Sequence, residues 1–341
     1  MNITLLRHRE KSVAGYAAMV ILQLVLLGWP RDLDARTVVV KAKTDADIQK
    51  AIDKLPAQGG LVLITADAPV VIQRSIVINR DNVTLAGEGQ GATVLRLADG
   101  ANAPVIVMGD DAATPGVTRT NIHVRDLTID GNRGAQTSEV NPNNPALRNN
   151  GISLRRVVSC SVVRVTAFRC ASGGLVAELG CRRITVSQFE SYDHAFDGLA
   201  AYETEDSSFS ELQLHDNLAA GLSFDLDFVR NILRGVVIAQ SGSVGIFMRD
   251  SRDNEFSSIQ IRDSDEHGIF LAQADADTTT PAAGNTFHGV VISNSGGAGI
   301  RVNDLSCSNN LLSASQLISN AGGGVSEAAG GLLTVEGTIV R

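Results

Sequence analysis

The sequence predicts an all-β chain: a single-stranded right-handed parallel β-helix of about 23-residue coils, capped at its N-terminal end by a short helix. Three observations predict it. A Gly followed by an aliphatic residue recurs at Gly151, Gly174, Gly198, Gly221, Gly245, Gly268, Gly299 and Gly324, in steps of 23, 24, 23, 24, 23, 31 and 25 residues. Between these glycines apolar and polar residues alternate, as half-buried strands require, and no ten-residue helical pattern intervenes. Gly contributes 33 of 341 residues and Pro only eight, so no Pro-rich linker divides the chain. With 44% hydrophobic and 19% charged residues, the composition excludes a disordered chain and a coiled coil.

The first 35 residues differ from the rest. Arg7, Arg9 and Lys11 precede an apolar run from Ala14 to Trp29, broken only by Gln23. A basic segment ahead of about 16 apolar residues is the pattern of a secretory signal peptide. It is slightly long for a signal and short for a membrane span. We expect a cut near Ala35, a mature domain of residues 36–341, and a secreted or periplasmic location with no membrane span after cleavage; an uncleaved anchor is the alternative. Cleavage removes four basic and three acidic residues, shifting the net charge from −8 to −9. That sign argues against nucleic acid as a partner. The four cysteines (Cys160, Cys170, Cys181, Cys307) are too scattered for a disulfide scaffold and form no CxxC metal motif. Cys160 and Cys181, 21 residues apart between similar patterns, are expected to stack on adjacent rungs, with a bridge as an option.

Along the mature chain, Thr44-Asp45-Ala46-Asp47 caps a predicted helix whose apolar face is Ile48, Ala51, Ile52 and Leu55, a plug for the open end of the solenoid. Strands are expected near 61–64, 70–78, 83–86, 92–97 and 122–129. The polar segment from Gly131 to Asn149 carries Asn-Pro and Asn-Asn turn signals and leaves the solenoid wall. Either it borders a cleft or it is disordered. In the repeats, Asn231, Asn254, Asn285 and Asn310 each stand fourteen residues before a repeat glycine, predicting a stacked side-chain amide ladder. The long step between Gly268 and Gly299 holds an insertion, Asp275–Pro281.

Several segments resemble a known family. Thr44-Asp45-Ala46-Asp47-Ile48-Gln49 followed by Ala51-Ile52-Asp53, then Val83–Gly89 and Asp126–Arg133, are similar to the opening of the catalytic module of mannuronan C5-epimerases. Phe196-Asp197-Gly198-Leu199 resembles that family's Leu-Asp-Gly-Phe repeat. The resemblance covers roughly residues 44–275, and its opening motifs are shared widely by pectate-lyase-like β-helices. It implies a polysaccharide-modifying activity. One departure is marked: where the family carries Tyr-Gly-Phe-Asp-Pro-His, this chain reads Gly173-Gly174-Leu175-Val176-Ala177-Glu178, and the family's further catalytic Asp matches Tyr202.

The repeat sorts the outward residues into columns. One residue after each glycine the position is aliphatic throughout and faces the core. Four residues after, it faces outward: Arg155, Glu178, Tyr202, Asp225, Arg249, Ala272 and Asn303. His194 and Asp197 lie in the turn before Tyr202, Tyr192 leads into that turn, and Asp227 follows Asp225. Two chemistries fit. For β-elimination or C5 epimerisation, Arg155 or Arg249 would neutralise a uronate carboxylate bidentately. Tyr202 and His194 would then exchange the C5 proton, with Tyr192, Asp197 and Asp227 contacting sugar. For hydrolysis, Glu178 and Asp225 stand two rungs apart, roughly 9.6 Å, near the separation of about 6.5–9.5 Å of an inverting pair.

No cofactor is expected, although Asp193, Asp197, Asp225 and Asp227 could build a calcium site. The leading expectation is a secreted protein modifying an acidic, uronate-containing polysaccharide, of epimerase or lyase type. The alternatives are a glycoside hydrolase using Glu178 and Asp225, and a non-catalytic carbohydrate-binding β-helix. The oligomeric state is left open.

Overall fold

The computed structural model describes residues 36–274 and 280–341. The expected signal peptide and residues 275–279 of the insertion lie outside the described residues. Among the described residues the chain winds into parallel sheets of seventeen, ten and six strands, plus a two-stranded hairpin. One coil shows the plan. Ile152–Arg155 lies in the ten-stranded sheet, Val157–Val158 in the six-stranded sheet and Ser161–Phe168 in the seventeen-stranded sheet. The chain then returns through a turn to the next glycine.

Glycine is required at the repeat position by close approach. A Cβ built on Gly151, Gly174, Gly198, Gly221, Gly245, Gly268 or Gly299 would stand 2.5–2.9 Å from the carbonyl oxygen of the repeat glycine one coil on. Any side chain would push the coils apart. The residues after these glycines accordingly pair in one ladder, Ile152 to Leu175 to Leu199 to Leu222 to Ile246 to Ile269 to Ile300, all fully buried. The corners are turned by left-handed residues in columns, for example Arg164, Gln188, Glu211, Gly235 and Ser258, which bend each eight-residue strand at its fourth position.

The predicted amide ladder forms. The Asn254 Oδ1 accepts the main-chain N–H of Asn231 at 2.9 Å, Asn285 does the same for Asn254 at 3.1 Å, and Asn310 for Asn285 at 3.0 Å. Each Nδ2 in turn donates to a main-chain carbonyl, of Thr204, Phe228, Ser251 or Ala282. Earlier coils fill the same column with other acceptors: Ser207 Oγ takes the N–H of Ile184, and Cys160 Sγ that of Ile122.

The helix spans Asp45–Asp53 and buries Ile48, Ala51 and Ile52, with Leu55 buried just beyond. Asp47 accepts the N–H groups of Lys43 and Thr44, closing the first turn. No helix among the described residues is long and apolar enough to cross a membrane.

The early coils differ in detail from expectation. The segment 70–78 is two strands, Val70–Ile72 and Ile76–Ile78, and Arg36–Lys41 and Ile106–Gly109 are additional strands. The cysteine register also differs. Val165 pairs with Phe189, an offset of 24 rather than 21, so Cys160 stands in the column of Ile184 while Cys181 opens a strand on another sheet opposite Thr204. All four cysteines are free thiols.

The ladder is testable. Asn254→Ala strands the Asn231 N–H and the Phe228 carbonyl in the core, and each orphaned group costs about 1–3 kcal/mol. Urea unfolding should show a loss of about 2–5 kcal/mol, against less than about 0.5 kcal/mol for Gln260→Ala on the exposed face of the same coil. Equal losses would remove the ladder from the account.

Candidate functional site

The column four residues after each glycine ends the strands of the ten-stranded sheet. Arg155 pairs with Glu178, Tyr202 with Asp225, and Arg249 with Ala272. Above this column opens a cleft of about 580 Å³, lined by Glu178, Tyr202, Asp225 and Arg249 together with Asp197, Ser223 and Phe247. Its opposite wall is the excursion after Gly131. That segment returns as an antiparallel hairpin, Val140–Asn141 against Asn144–Arg148, and contributes Glu139, Pro145, Ala146 and Arg148. The expected polar loop therefore borders the cleft.

Enclosure sets the electrostatics. The Tyr202 phenol is pushed up to about 12, chiefly by burial and further by the Asp197 carboxylate; the Ser223 hydroxyl opposes the shift. Burial raises the Asp197 carboxyl to about 6, against the N–H of Ala220, which donates to it at 2.9 Å, and against Ser223. Ser223 thus serves both groups. Glu178 is raised by burial, offset by Arg155 and by Arg148. Asp225 is held by Arg249, whose Nε lies at 2.9 Å and Nη2 at 2.5 Å from Oδ2. Arg249 also lies over the Phe247 ring, 5.8 Å from its centroid. The cleft therefore offers a protonated phenol and a carboxyl titrating near 6, with two arginines nearby.

Four expected site residues stand elsewhere. Arg155 is in the right column but only 1% exposed. Its Nε donates to Glu178 at 2.9 Å, and its Nη1 to the carbonyls of Asp110 at 3.1 Å and Ala112 at 2.7 Å, so its donors are spent on the protein. His194 is fully buried. Its Nδ1 accepts the Cys170 N–H at 3.0 Å, and its Nε2 meets the Ser191 hydroxyl, which donates to the Gly198 carbonyl at 2.7 Å. Burial lowers its pKa to about 3, so it is a neutral strut of the turn rather than a proton carrier. Tyr192 belongs to the seventeen-stranded sheet, stacked between Phe168 and His215 at 5.3 and 4.8 Å. Asp227 points outward and pairs with Arg252.

The acids considered for calcium are divided: Asp193 pairs with Arg133, Asp225 with Arg249 and Asp227 with Arg252. No three potential metal ligands cluster among the described residues. Sequence reasoning missed Arg148 and Glu139. The Asn-rich turn signals mark the excursion, but nothing local says which residues of it face back onto the sheet.

A carboxyl raised in the folded state contributes stability that is present below its unfolded value of 3.8 and is lost as pH rises through about 6. Asp197→Asn removes that loss. Its unfolding free energy should exceed that of the parent chain by about 1–3 kcal/mol at neutral pH, the two converging near pH 4. Parallel pH curves would show that Asp197 titrates normally.

Known proteins place this architecture. Residues 150–340 match the family model described as right handed beta helix region. The mannuronan C5-epimerase AlgE4 of Azotobacter vinelandii is 28% identical over 170 residues, 48% of this chain and 30% of that relative, so the chain matches under a third of its length. Among solved structures, the A-module of the A. vinelandii mannuronan C-5 epimerase AlgE6 superposes with a TM-score of 0.61 at 18% identity, covering 86% of this chain and 94% of that module. An endo-xylogalacturonan hydrolase from Aspergillus tubingensis superposes at 0.64 and 10% identity, covering 90% and 93%. These likenesses to solved structures are likenesses of fold. The glycine-spaced coils, the three parallel sheets and a family match over more than half its length make this chain a member of the right-handed β-helix family.

Proposed function

We propose that the chain is an exported enzyme that modifies an acidic, uronate-containing polysaccharide at C5, of epimerase or lyase type. The observation that carries this reading is the grouping of Tyr202 and Asp197 with Arg148 and Arg249 in one cleft. Export is supported by the leader pattern of residues 1–35. The epimerase relative supports the substrate class.

Both reactions begin by removing the proton at C5 of a uronate, which requires the adjacent carboxylate to be neutralised. Arg148 or Arg249, paired in this structure with Glu139 and Asp225, would exchange that partner for it, with planar donors suited to a carboxylate. The base is Asp197: a carboxyl with a pKa of about 6 is ionised at neutral pH and takes a proton better than an ordinary carboxylate does. It replaces His194, which burial removes from the cleft. Tyr202, protonated at neutral pH, is the acid. Donating to the opposite face of C5 completes epimerisation; donating to the departing glycosidic oxygen completes elimination. Glu178, one rung away and itself raised, receives the second sugar contact.

Hydrolysis by Glu178 and Asp225 is the second reading. It is favoured by their separation of two rungs and disfavoured by Tyr202 between them.

Incubation with a panel of polyuronates separates these outcomes. Epimerisation in deuterated water places deuterium at C5, elimination yields an unsaturated product absorbing in the ultraviolet, and hydrolysis yields reducing ends alone. On the substrate so found, Tyr202→Phe should lower kcat by roughly 100-fold or more and leave polymer binding within about twofold. Retention of full activity would exclude Tyr202 as the acid. The acid limb of kcat/KM should fall near pH 6, where Asp197 gains its proton; a limb near the ordinary carboxylate value would exclude Asp197 as the base.

A further inference from the structure

The main cleft is closed at one end. The outward column two residues after each repeat glycine runs Ser153, Val176, Ala200, Ser223 and Phe247, and strand pairing extends it back to Val107 and Val77. On an open sheet every member would meet solvent. Val176, Ala200, Ser223 and Phe247 do line the cleft, and Phe270 and Arg301, next in the column, are partly exposed. Val107 and Ser153 point the same way yet are 0% and 1% exposed. Beyond them a separate cleft of about 800 Å³ begins at Val77. The two clefts have no lining residue in common, although the hairpin lines both: Pro145, Ala146 and Arg148 on one side, Asn141, Asn144 and Leu147 on the other. The hairpin is thus a wall across the column, seated on its floor with no passage beneath.

The wall is fixed at its tip and at its base. Arg155, in the covered coil, spends Nη1 on the carbonyls of Asp110 and Ala112, and Arg156 Nη1 donates to the Pro115 carbonyl at 3.0 Å. The segment so held takes the hairpin tip: the Asp111 carbonyl accepts from Asn144 Nδ2 at 2.6 Å. At the base, Asn102 Oδ1 accepts the N–H groups of Thr137 and Ser138, and the Asn149 N–H donates to the Glu139 carbonyl at 2.7 Å. Arg155 and Asn102 are buried, so their bonds have no aqueous substitute. The hairpin is part of the solenoid and not a lid over it.

The wall stands close to the reacting groups. Tyr202 ends the strand of Ala200, and only the rung of Val176 separates that strand from the covered rung of Ser153. Rungs repeat about every 4.8 Å, near the length of one sugar unit in an extended chain. A polymer whose reacting sugar lies against Tyr202 therefore has room for one further unit before it meets the hairpin. There it meets Glu139 and Arg148. A chain end carries a hydroxyl where an internal unit carries a glycosidic oxygen, and the Glu139 carboxylate can accept that proton.

We infer that the cleft takes the end of a polysaccharide chain and not an internal segment: the reacting unit is the terminal or penultimate sugar, with the chain end against the hairpin. The choice of an acidic polysaccharide rests on the uronate reading of the main cleft; the choice of a chain end rests on the wall.

Binding stoichiometry tests this without turnover. The Tyr202→Phe chain is titrated calorimetrically with a polyuronate fractionated into short, medium and long chains. One protein should bind per polymer chain at every length, with the affinity per polymer chain unchanged. A number bound that rises in proportion to length means that internal segments enter, and overturns the chain-end inference while leaving the uronate reading in place. Absence of binding by every polyuronate overturns both. The parent chain gives a second measurement on a substrate that it turns over. Elimination should release only single sugars and disaccharides from the first time point, and epimerisation should stop at a modified fraction that falls in inverse proportion to polymer length. Early fragments of intermediate length, or a modified fraction independent of length, overturn the inference but keep the chemistry.

Discussion

The structure depends on a contact distance. At each repeat glycine from Gly151 to Gly299 the carbonyl of the next coil comes so near that a Cβ would lie within 2.9 Å of it. That approach forbids side chains in one column and locks successive coils in a common register. Once the register is set, the sheet and face of each strand residue in the coils from Gly151 onward follow from its distance to the nearest repeat glycine. The Asn ladder secures the same register on another side of the coil, by consuming main-chain N–H groups that a corner would otherwise leave unpaired in the core. The candidate site inherits its geometry from this: Glu178, Tyr202, Asp225 and Arg249 share a wall because each stands four residues beyond a glycine.

Enclosure then turns a charged surface column into a site. On an open sheet these groups would be a solvated pattern of alternating charge, worth little in stability. The hairpin Val140–Arg148 encloses them, and the consequences diverge. Arg155 is consumed by Glu178 and by loop carbonyls, so it supports the wall rather than contacting solvent. Tyr202 and Asp197 are both pushed up by burial, one to about 12 and the other to about 6, although Ser223 opposes the shift in each. An acid and a base held in opposite states at the same pH are what proton transfer at a carbon centre requires. At the positions matched by the resemblance this wall carries Gly173, Val176, Glu178 and Tyr202, so C5 chemistry in this cleft would use this chain's own groups.

What could be read from the sequence was what periodicity controls. The glycine spacing placed the buried ladder from Ile152 to Ile300, the outward column and the Asn ladder, and the Thr44–Asp47 pattern placed the cap helix. The errors fell where periodicity stops. In a corner, side-chain direction depends on the local turn, so His194, expected to exchange the C5 proton with Tyr202, is instead buried against Cys170 and Ser191. Tyr192 is near Tyr202 in sequence, but a corner separates them and sends Tyr192 to a different sheet. A three-residue slip in pattern matching mispaired Cys160 with Cys181, because Val165 aligns with Phe189. Arg148 reaches the cleft from an excursion with no repeat at all, and the burial of Arg155 depends on carbonyls more than 40 residues away.

The most direct measurement is a crystal structure of the Tyr202→Phe variant with an oligouronate bound. The account predicts a sugar in the cleft with its carboxylate against Arg148 or Arg249, and with C5 between residue 202 and the Asp197 carboxylate. Sugar bound elsewhere, such as over the Phe168–Tyr192–His215 stack, or a cleft sugar whose C5 faces away from both groups, would contradict it.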